Sequence, residues 1–337
     1  MKIPVRATWA CVSMLLVISE SPPTQGQDKT FTAADYIRAR DENKNWGRWG
    51  ANDEKGTSNL IDSAKIRSAA NLVRHGIVVS LARPVPQQQE SDVPPNSVFV
   101  RTVNGTAIGA TVVTDNYMTR YHGFSTTHMD ANCHWYFNNV TYNNNPAPET
   151  ITFQEGCKKN SILARKDGTV TRAVIYDIPW LKGVDWLEPG TAVTRADLEA
   201  FERSARVRVE PGDVYLLYVG HWKRRKALGP LPVITFAGNH PEVSEFLKER
   251  DVAFIGHDAG QEVNPRLPGL TAAEGVSGDP VHIVAMYTMG AGVLDNLDMD
   301  KAVEVARRLR RWEAMIVFAP WRVIGGTGSP LNPLLVF

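Results

Sequence analysis

The sequence is poor in cysteine and has no excess of charge of either sign. It contains 3 Cys in 337 residues, too few for a small fold held together by disulfides. Its 37 Lys and Arg balance 36 Asp and Glu, and no long basic run is present, so a nucleic-acid partner is not expected. Internal repeats, a Walker loop and a dinucleotide-binding fingerprint are also lacking. What remains is an ordinary globular chain with 43% hydrophobic residues.

The N-terminus has the composition of a secretory signal peptide. Lys2 and Arg6 supply a positively charged start, and residues 7–18 are almost continuously apolar. That run is shorter than the roughly 20 residues that a bilayer span needs, which makes an uncleaved anchor the less favoured alternative. We expect residues 1–26 to be removed and residues 27–337 to form a secreted or periplasmic domain without a membrane anchor.

Two cysteines remain after this leader, Cys133 and Cys157. In an oxidising compartment they could form a disulfide. A core of this size does not need such a cross-link, and two buried free thiols fit the sequence equally well.

The rest of the chain alternates between strand-like and helix-like segments. A strand is predicted to begin at residue 78. Short apolar runs bounded by turn residues predict buried strands over residues 173–178, 214–219, 253–256 and 315–319. Periodicity predicts a helix that opens at Thr194, where Asp197 completes a capping box, and others over residues 58–74, 242–250 and 301–311. The helix within residues 58–74 has two possible caps, Ser58 and Asp62. Because strands and helices alternate only loosely, we predict one α/β domain with a central mixed sheet, preceded by an N-terminal arm around Trp46 and Trp49.

One short segment concentrates groups that bind metal ions. His128 and Asp130 are two residues apart, so on a strand both side chains leave the same face. His134 follows Asp130 by four residues and comes close to it if a turn begins after the strand. Imidazole and carboxylate ligands suit zinc, manganese or iron. The alternative is a polar strand end whose histidines are satisfied within the core.

Other polar and aromatic residues are candidates for contacts with a substrate. His221 follows the strand predicted at residues 214–219, and Glu262 follows the one at 253–256, where α/β proteins often bind ligands. A surface turn explains His221 equally well. Trp49 in the N-terminal arm could face an aromatic substrate, although tryptophans also pack cores.

The segment Thr127-His128-Met129-Asp130 with His134 resembles the His-x-Gly-Thr-His-x-Asp-x-Pro-x-His signature of the cyclase family. These metal-dependent hydrolases include bacterial kynurenine formamidase and isatin hydrolase. Further similarity to the longer members follows in the family's order, at residues 45–50, 56–60, 212–217, 256–258, 262–265, 282, 294–297, 325–330 and 332–333. The resemblance therefore extends over residues 45–337.

The resemblance implies a fold, an assembly and a set of roles. The fold would be a swivelling β/β/α-type single domain with a central mixed sheet, assembled into a homo-oligomer. His128 and Asp130 would be metal ligands, and His134 would transfer protons. His282 and Asp295 would match the ligands that complete the second metal position in two-zinc members.

Two departures from the family bear on the number of metal ions. The first histidine of the signature falls at Phe124, which removes one ligand. Asp295 stands where the two-metal enzymes have Glu, so its carboxylate reaches less far. Both changes favour one divalent ion per chain, zinc or manganese.

Together these patterns predict a metal-dependent hydrolase that acts on a C–N bond other than a peptide bond. The substrate would be small and aromatic, such as an aryl formamide or a lactam, and a metal-activated water would attack its carbonyl group. Lactone hydrolysis or the reverse cyclisation is one alternative. A metal-retaining binding protein without turnover is another.

Overall fold

The computed structural model describes Met1 and residues 30–42, 44–86, 88–93, 97–107 and 110–337. The signal peptide predicted at residues 1–26 and the domain start at residue 27 lie outside this part of the chain, apart from Met1. Phe31–Phe337 forms one compact unit. In the described residues, no helix combines the length and the apolar character needed to cross a membrane.

A mixed sheet runs through the centre of the domain. The strands, in chain order, are β1 Val78–Ser80, β2 Ser97–Ala107, β3 Ala110–Thr119, β4 His128–Asp130, β5 Val140–Thr141, β6 Asn145–Pro146, β7 Ile151–Thr152, β8 Gly156–Cys157, β9 Thr169–Asp177, β10 Ala192–Val193, β11 Val214–Tyr218, β12 Gly238–Asn239, β13 Phe254–His257, β14 Gly292–Asp295, β15 Glu313–Phe318, β16 Gly328–Pro330 and β17 Leu334–Val336. Over the described ranges the central sheet has the order β1-β17-β15-β9-β11-β13-β14-β4-β16. Its middle strands β9, β11, β13 and β14 are parallel, and antiparallel strands flank them on both sides.

Helices connect the strands of this sheet. They are α1 Ala33–Asp41, α2 Ser63–Ala70, α3 Ala147–Thr150, α4 Ile178–Lys182, α5 Arg195–Ala205, α6 His221–Leu228, α7 Val243–Glu249, α8 Pro280–Ile283 and α9 Asp300–Leu309. A π-helical turn, Val284–Met289, continues α8. This order of elements confirms the predicted α/β class with a central mixed sheet.

The predicted strands are present as β1, β9, β11, β13 and β15, with ends shifted by a few residues. All residues of β11 are buried, as expected for a parallel strand covered on both faces. The capping box at the start of α5 is also present. The Thr194 hydroxyl accepts the backbone N–H of Asp197, and the Asp197 carboxylate accepts the backbone N–H of Thr194.

The helix predicted over residues 58–74 is present but shorter, and it starts at Asp62, the second of its two possible caps. The segment is a 3-10 turn, Gly56–Leu60, followed by α2, with an extended backbone at Asp62 (ψ 178°) between them. The cause is local, because the Asp62 carboxylate accepts the backbone N–H of Lys65 and a capping residue adopts an extended conformation. Asp62 therefore starts a new helix instead of continuing the preceding turn.

The long hairpin of β2 and β3 is absent from the prediction. Its strands pair antiparallel as a two-stranded sheet of their own. Val100, Val113 and Met118 on this hairpin are exposed. At these described positions apolar side chains do not enter the core, so the hairpin falls outside the buried-strand pattern used for prediction. The hairpin ends at Thr119, shortly before His122.

One edge of the sheet brings distant side chains together. β4 runs antiparallel to β14, with His128 opposite Asp295 and Asp130 opposite Val293. Residues that face each other in this way have Cα atoms about 4.5–5.5 Å apart. The pairing of β4 with β14 therefore puts Asp295 beside His128, although the two are far apart in the chain.

Candidate active site

β4 presents His128 and Asp130 on one face, as their spacing predicts. Both residues are buried, each with 2% of its surface exposed. The chain then turns, and the backbone N–H of His134 donates to the carbonyl of Ala131 (2.8 Å). This turn brings His134 Nε2 to 4.0 Å from Asp130 Oδ2. The three groups singled out in the sequence therefore converge.

A disulfide between Cys133 and Cys157 holds the turn that carries His134. Their Cα atoms are 6.4 Å apart, and both residues are buried. Of the two arrangements that the sequence leaves open, the structure has the bonded one. The bond ties the turn to β8 and so limits how far His134 can move away from Asp130.

Hydrogen bonds orient His128 toward Asp130. His128 Nδ1 lies 2.8 Å from the carbonyl oxygen of Thr126, a contact in which the ring N–H donates. Nε2 then carries the lone pair and lies 3.3 Å from Asp130 Oδ1. A ring N–H bonded to a backbone carbonyl is a common way in which proteins fix metal-binding histidines.

A third histidine, which the sequence analysis does not single out, joins this group. His122 Nδ1 lies 2.9 Å from Asp130 Oδ1, and its ring stacks on that of His134 with centroids 3.7 Å apart. Phe124 therefore does not leave the site short of a histidine, in contrast to the expectation from the signature. His122 lies in the turn before β4, so the strand spacing that marks His128 and Asp130 gives no signal for it.

A second set of groups adjoins the first at Asp295. His282 Nε2 lies 3.0 Å from Asp295 Oδ2, and its Nδ1 lies 2.9 Å from each carboxylate oxygen of Glu262. Gln261 donates to the other oxygen of Asp295 (2.7 Å). His282 thus bridges two carboxylates and is joined to His128 through Asp295.

The donor atoms fit a divalent ion. One ligand atom each from His128, Asp130 and Asp295 lies within 4.8 Å of the others, and the same holds for His122, Asp130 and His134. Within the described residues, His122 Nδ1 and Asp130 Oδ1 are buried and lack a hydrogen-bond partner, although they are close together. Buried polar atoms without partners are costly. A cation between them would satisfy both.

Charge states follow from burial and from neighbouring charges. Burial raises the pKa of Asp130, but the interactions with His128 and His122 outweigh it and hold the pKa well below its ordinary value. Burial lowers the pKa of His134 to about 4, against the opposing effect of Asp130. Burial also disfavours the charged form of His282, but the Glu262 and Asp295 carboxylates raise its pKa well above the ordinary value. The site therefore combines an ionised carboxylate with a neutral histidine, His134, that can accept a proton.

The cluster opens into a pocket with aromatic walls. The rings of Phe124 and Phe236 contact each other, with centroids 5.4 Å apart, and the Trp135 ring lies 5.7 Å from that of His134. Apolar surface therefore stands directly beside the polar cluster. The lining residues are Gly123, Phe124, His128, Asp130, His134, Trp135, Phe236, Gly260, Glu262, Asn264, Arg266, Asp279, His282 and Asp295.

The three residues predicted to contact a substrate lie in different places. Glu262 lines the pocket beside His282. His221 is not among the described residues that line the pocket, but its ring contacts that of Phe236, which does line it, with centroids 6.2 Å apart. Trp49 packs against the guanidinium of its neighbour in the chain and is not among the described residues that line the pocket. Of the three, the structure brings Glu262 into direct contact with the pocket.

Known proteins with the same architecture include hydrolases. A crystal structure described as a novel cyclase is 23% identical, with a TM-score of 0.76 over 88% of this chain and 99% of that chain. Isatin hydrolase A from Labrenzia aggregata is 20% identical, with a TM-score of 0.53 over 79% of this chain and 94% of that chain. An isatin hydrolase bound to the product analogue thioisatinate is 16% identical, with a TM-score of 0.52 over 82% and 98%. These likenesses show that the fold is shared.

The sequence itself matches a family. No curated protein matches the chain. The model of the family described as "Putative cyclase", however, matches residues 79–261, which is more than half of the 337 residues. That span contains β4 with His128 and Asp130 and the turn with His134. The chain therefore belongs to the cyclase family.

Proposed function

We propose that the protein is a metal-dependent hydrolase that cleaves an amide-type bond, in an aryl formamide or a lactam, of a small aromatic substrate. The observation that carries this proposal is the convergence of His128, Asp130 and His134 beside a pocket with aromatic walls. Membership of the cyclase family supports it. So does the presence of isatin hydrolases among the structurally similar proteins.

His128 and Asp130 would hold one divalent ion, zinc or manganese, and Asp295 lies close enough to contribute. When bound, such an ion lowers the pKa of water and polarises a carbonyl oxygen. The protein's own part is to keep the lone pair of His128 Nε2 and an ionised Asp130 facing the same point. The short side chain of Asp295, held by Gln261 and His282, favours one ion over two.

His134 would transfer the protons of the reaction. Its neutral ring accepts a proton at Nε2 from the attacking water and then donates it to the leaving nitrogen, so that the amine departs uncharged. Burial keeps the ring neutral at pH 7 because it lowers the pKa of His134 to about 4. Asp130, 4.0 Å away, stabilises the imidazolium that exists between the two transfers.

The walls of the pocket would select the substrate. Phe124, Phe236 and Trp135 offer apolar surface to a planar ring next to the polar cluster, and an aromatic pair contributes about 0.5–1.5 kcal/mol beyond its buried area. Cleavage of a lactam fused to such a ring releases a carboxylate beside an aromatic amine. Arg266, which also lines the pocket, is a cation suited to that carboxylate.

A substrate panel tests the proposal. Protein stripped of metal with a chelator and reconstituted with zinc or manganese is assayed on N-formylanilines, aryl lactams and aryl lactones. We expect cleavage of formamides or lactams that depends on the added metal. Turnover of lactones alone would favour a lactone hydrolase. Metal-loaded protein that turns over none of the compounds would favour a binding protein.

We further propose that the protein is secreted or periplasmic and homo-oligomeric, and that it acts on a small molecule with no nucleic-acid or membrane partner. Sequencing of the N-terminus should find a mature chain that starts at roughly residues 22–29. Sedimentation should give a mass that is a multiple of the chain's. An intact Met1 on cytosolic protein would contradict export.

A further inference from the structure

We propose that His122 is a ligand of the metal ion and takes the place of the histidine that the cyclase signature has at the position of Phe124. The inference rests on the proposed function, because it concerns the ion that the hydrolase would use. His122 stands two residues before Phe124 and so lies outside the signature. Its part in the site depends on how the chain folds after the hairpin of β2 and β3.

Two histidine nitrogens approach the same oxygen of Asp130. His122 Nδ1 and His128 Nε2 both approach Asp130 Oδ1, at 2.9 and 3.3 Å. Ligand atoms bound at about 2.0–2.1 Å to a tetrahedral zinc ion lie about 3.3–3.4 Å from one another. Each nitrogen therefore lies within about 0.5 Å of the separation that an ion shared with Asp130 Oδ1 would impose. One ligand atom each from His122, Asp130 and His134 also lies within 4.8 Å of the others.

Two of these atoms lack partners in the rest of the described chain. His122 Nδ1 and Asp130 Oδ1 are both buried, and neither has a hydrogen-bond partner there, because their own close contact lacks the alignment of a hydrogen bond. A buried polar group left in this state costs about 1–3 kcal/mol. An ion bound to both atoms removes a cost that the folded chain already carries.

The C-terminal segment fixes the ring of His122. His122 Nε2 lies 2.9 Å from the hydroxyl oxygen of Thr327, which leaves Nδ1 to face Asp130. Gly328 makes room for the ring, since a Cβ there would lie 2.9 Å from His122 Cε1 and 2.5 Å from the carbonyl oxygen of Met129. A neutral histidine that binds an ion through Nδ1 carries its proton on Nε2, and the Thr327 hydroxyl oxygen can accept the hydrogen bond of that N–H.

Moving the ligand from position 124 to position 122 also changes the pocket. Phe124 lines the pocket and packs against Phe236, so a position that holds a polar ligand in the signature becomes part of an apolar wall. His122 stacks on His134 with an angle of 6° between the rings. The same ligand therefore also holds the ring of the proposed proton-transferring residue.

Metal affinity tests this inference separately from catalysis. Stripped wild-type, His122→Ala and His75→Ala proteins are titrated with zinc and cobalt in competition with a chromophoric chelator, and the cobalt spectrum is recorded. His75 is exposed, so its variant controls for the loss of an imidazole elsewhere. We expect wild-type affinity for His75→Ala. For His122→Ala we expect binding at least about 100-fold weaker, because even a residue that only orients a ligand is worth 10–100-fold.

Thr327→Val tests the orientation of the ring and decides the matter if circular dichroism shows that His122→Ala does not fold. It keeps the imidazole and removes the hydroxyl at Nε2, so we expect about 10-fold weaker binding. Folded His122→Ala that binds zinc and cobalt as tightly as wild type would overturn the inference, and so would Thr327→Val with unchanged affinity. Wild-type protein that binds neither metal would instead refute the proposed function.

Discussion

Two buried aspartates, Asp130 and Asp213, have similar exposure and opposite surroundings. Asp130 is 2% exposed and Asp213 is 0% exposed. Asp213, just before β11, accepts hydrogen bonds from Arg172 Nε (3.0 Å) and Nη2 (2.5 Å) and from the backbone N–H of Glu210 (2.8 Å). Lys65 Nζ lies 2.5 Å from its other oxygen. Every neighbour named here is a donor, so the charge of Asp213 is fully paired within the protein.

The neighbours of Asp130 are of a different kind. His122 and His128 approach it with one ring nitrogen each, while their other nitrogens are already bonded to Thr327 and Thr126. The protein thus places imidazoles, which can give up a proton to a metal ion, around Asp130, where it places permanent cations and a backbone donor around Asp213. A buried carboxylate that stabilises the fold, such as Asp213, is paired with permanent cations of the protein. A buried carboxylate that binds a metal ion, such as Asp130 in our proposal, lies beside other possible ligands of that ion.

Removing the charge of Asp130 should have the largest effect on metal content and turnover. Asp130→Asn removes the charge that a divalent ion requires, so the protein should emerge from gentle purification without metal, and turnover should fall to background. The stripped variant should lose less free energy of unfolding than Asp213→Asn, because histidines, and not permanent cations, stabilise the charge it removes. Elemental analysis and urea unfolding measure both quantities. A loss of more than about 3 kcal/mol would make Asp130 a structural charge like Asp213.

His134→Ala separates proton transfer from metal binding within the cluster. His134 lies near Asp130 but is assigned proton transfer, so the variant should keep its metal and lose turnover by about 10²- to 10⁴-fold, the usual contribution of a positioned acid–base group. Steady-state kinetics and metal content are measured on the same preparation. If His134→Ala loses metal as completely as Asp130→Asn, then His134 is a ligand and another residue must move the proton.

Asp213→Asn should show the opposite pattern. Its metal content should equal that of wild type, while the free energy of unfolding should fall by about 3 kcal/mol. This is the lower end of the range for a broken buried ion pair, because the side chains of Arg172 and Lys65 are each 16% exposed and partly reach water. Urea unfolding of the metal-free proteins measures the difference. Unchanged stability would show that full pairing at Asp213 does not stabilise the fold.

A buried histidine outside the cluster should give the smallest effect, visible only as a dependence on pH. His257 is fully buried, with its Nδ1 accepting the backbone N–H of Ala259 (2.7 Å), and burial lowers its pKa to about 3. Between pH 3 and the ordinary value near 6.5, the unfolded chain therefore binds one more proton than the folded protein at this residue. Its contribution to stability should decline by about 1.4 kcal/mol per pH unit as the pH falls below 6.5.

His257→Asn isolates this contribution. The asparagine can still accept the Ala259 N–H but does not titrate, so stability of the variant should decline less steeply than that of wild type between pH 6.5 and pH 4. Urea unfolding at several pH values measures the two slopes, with His75→Asn as an exposed control. Parallel curves for wild type and His257→Asn would contradict the assignment.

The features that depend on neighbouring residues could be predicted from the sequence. The Thr194–Asp197 capping box is one of them, because its partners are three residues apart. The buried strand β11 is another, since its apolar run is continuous. The cap at Asp62 is also local, and Asp62 is one of the two caps that the sequence offers, but periodicity does not decide between it and Ser58.

The site could be predicted only in part, for the same reason. The spacing of His128 and Asp130 on one strand is local, and it is found in the structure. The place of His122 depends on contacts with Thr327 and Gly328 near the other end of the chain. No pattern of neighbouring residues encodes such a contact, so His122 appears in the site only once the chain is folded.

The most direct test of the central claim is the metal content of the gently purified wild-type chain, measured by elemental analysis together with activity before and after chelation. We propose that the buried atoms without hydrogen-bond partners, His122 Nδ1 and Asp130 Oδ1, bind one divalent ion. We expect close to one equivalent of zinc or manganese per chain, and hydrolysis that chelation abolishes and the same metal restores. Protein that carries no transition metal and keeps its activity in chelator would contradict this proposal.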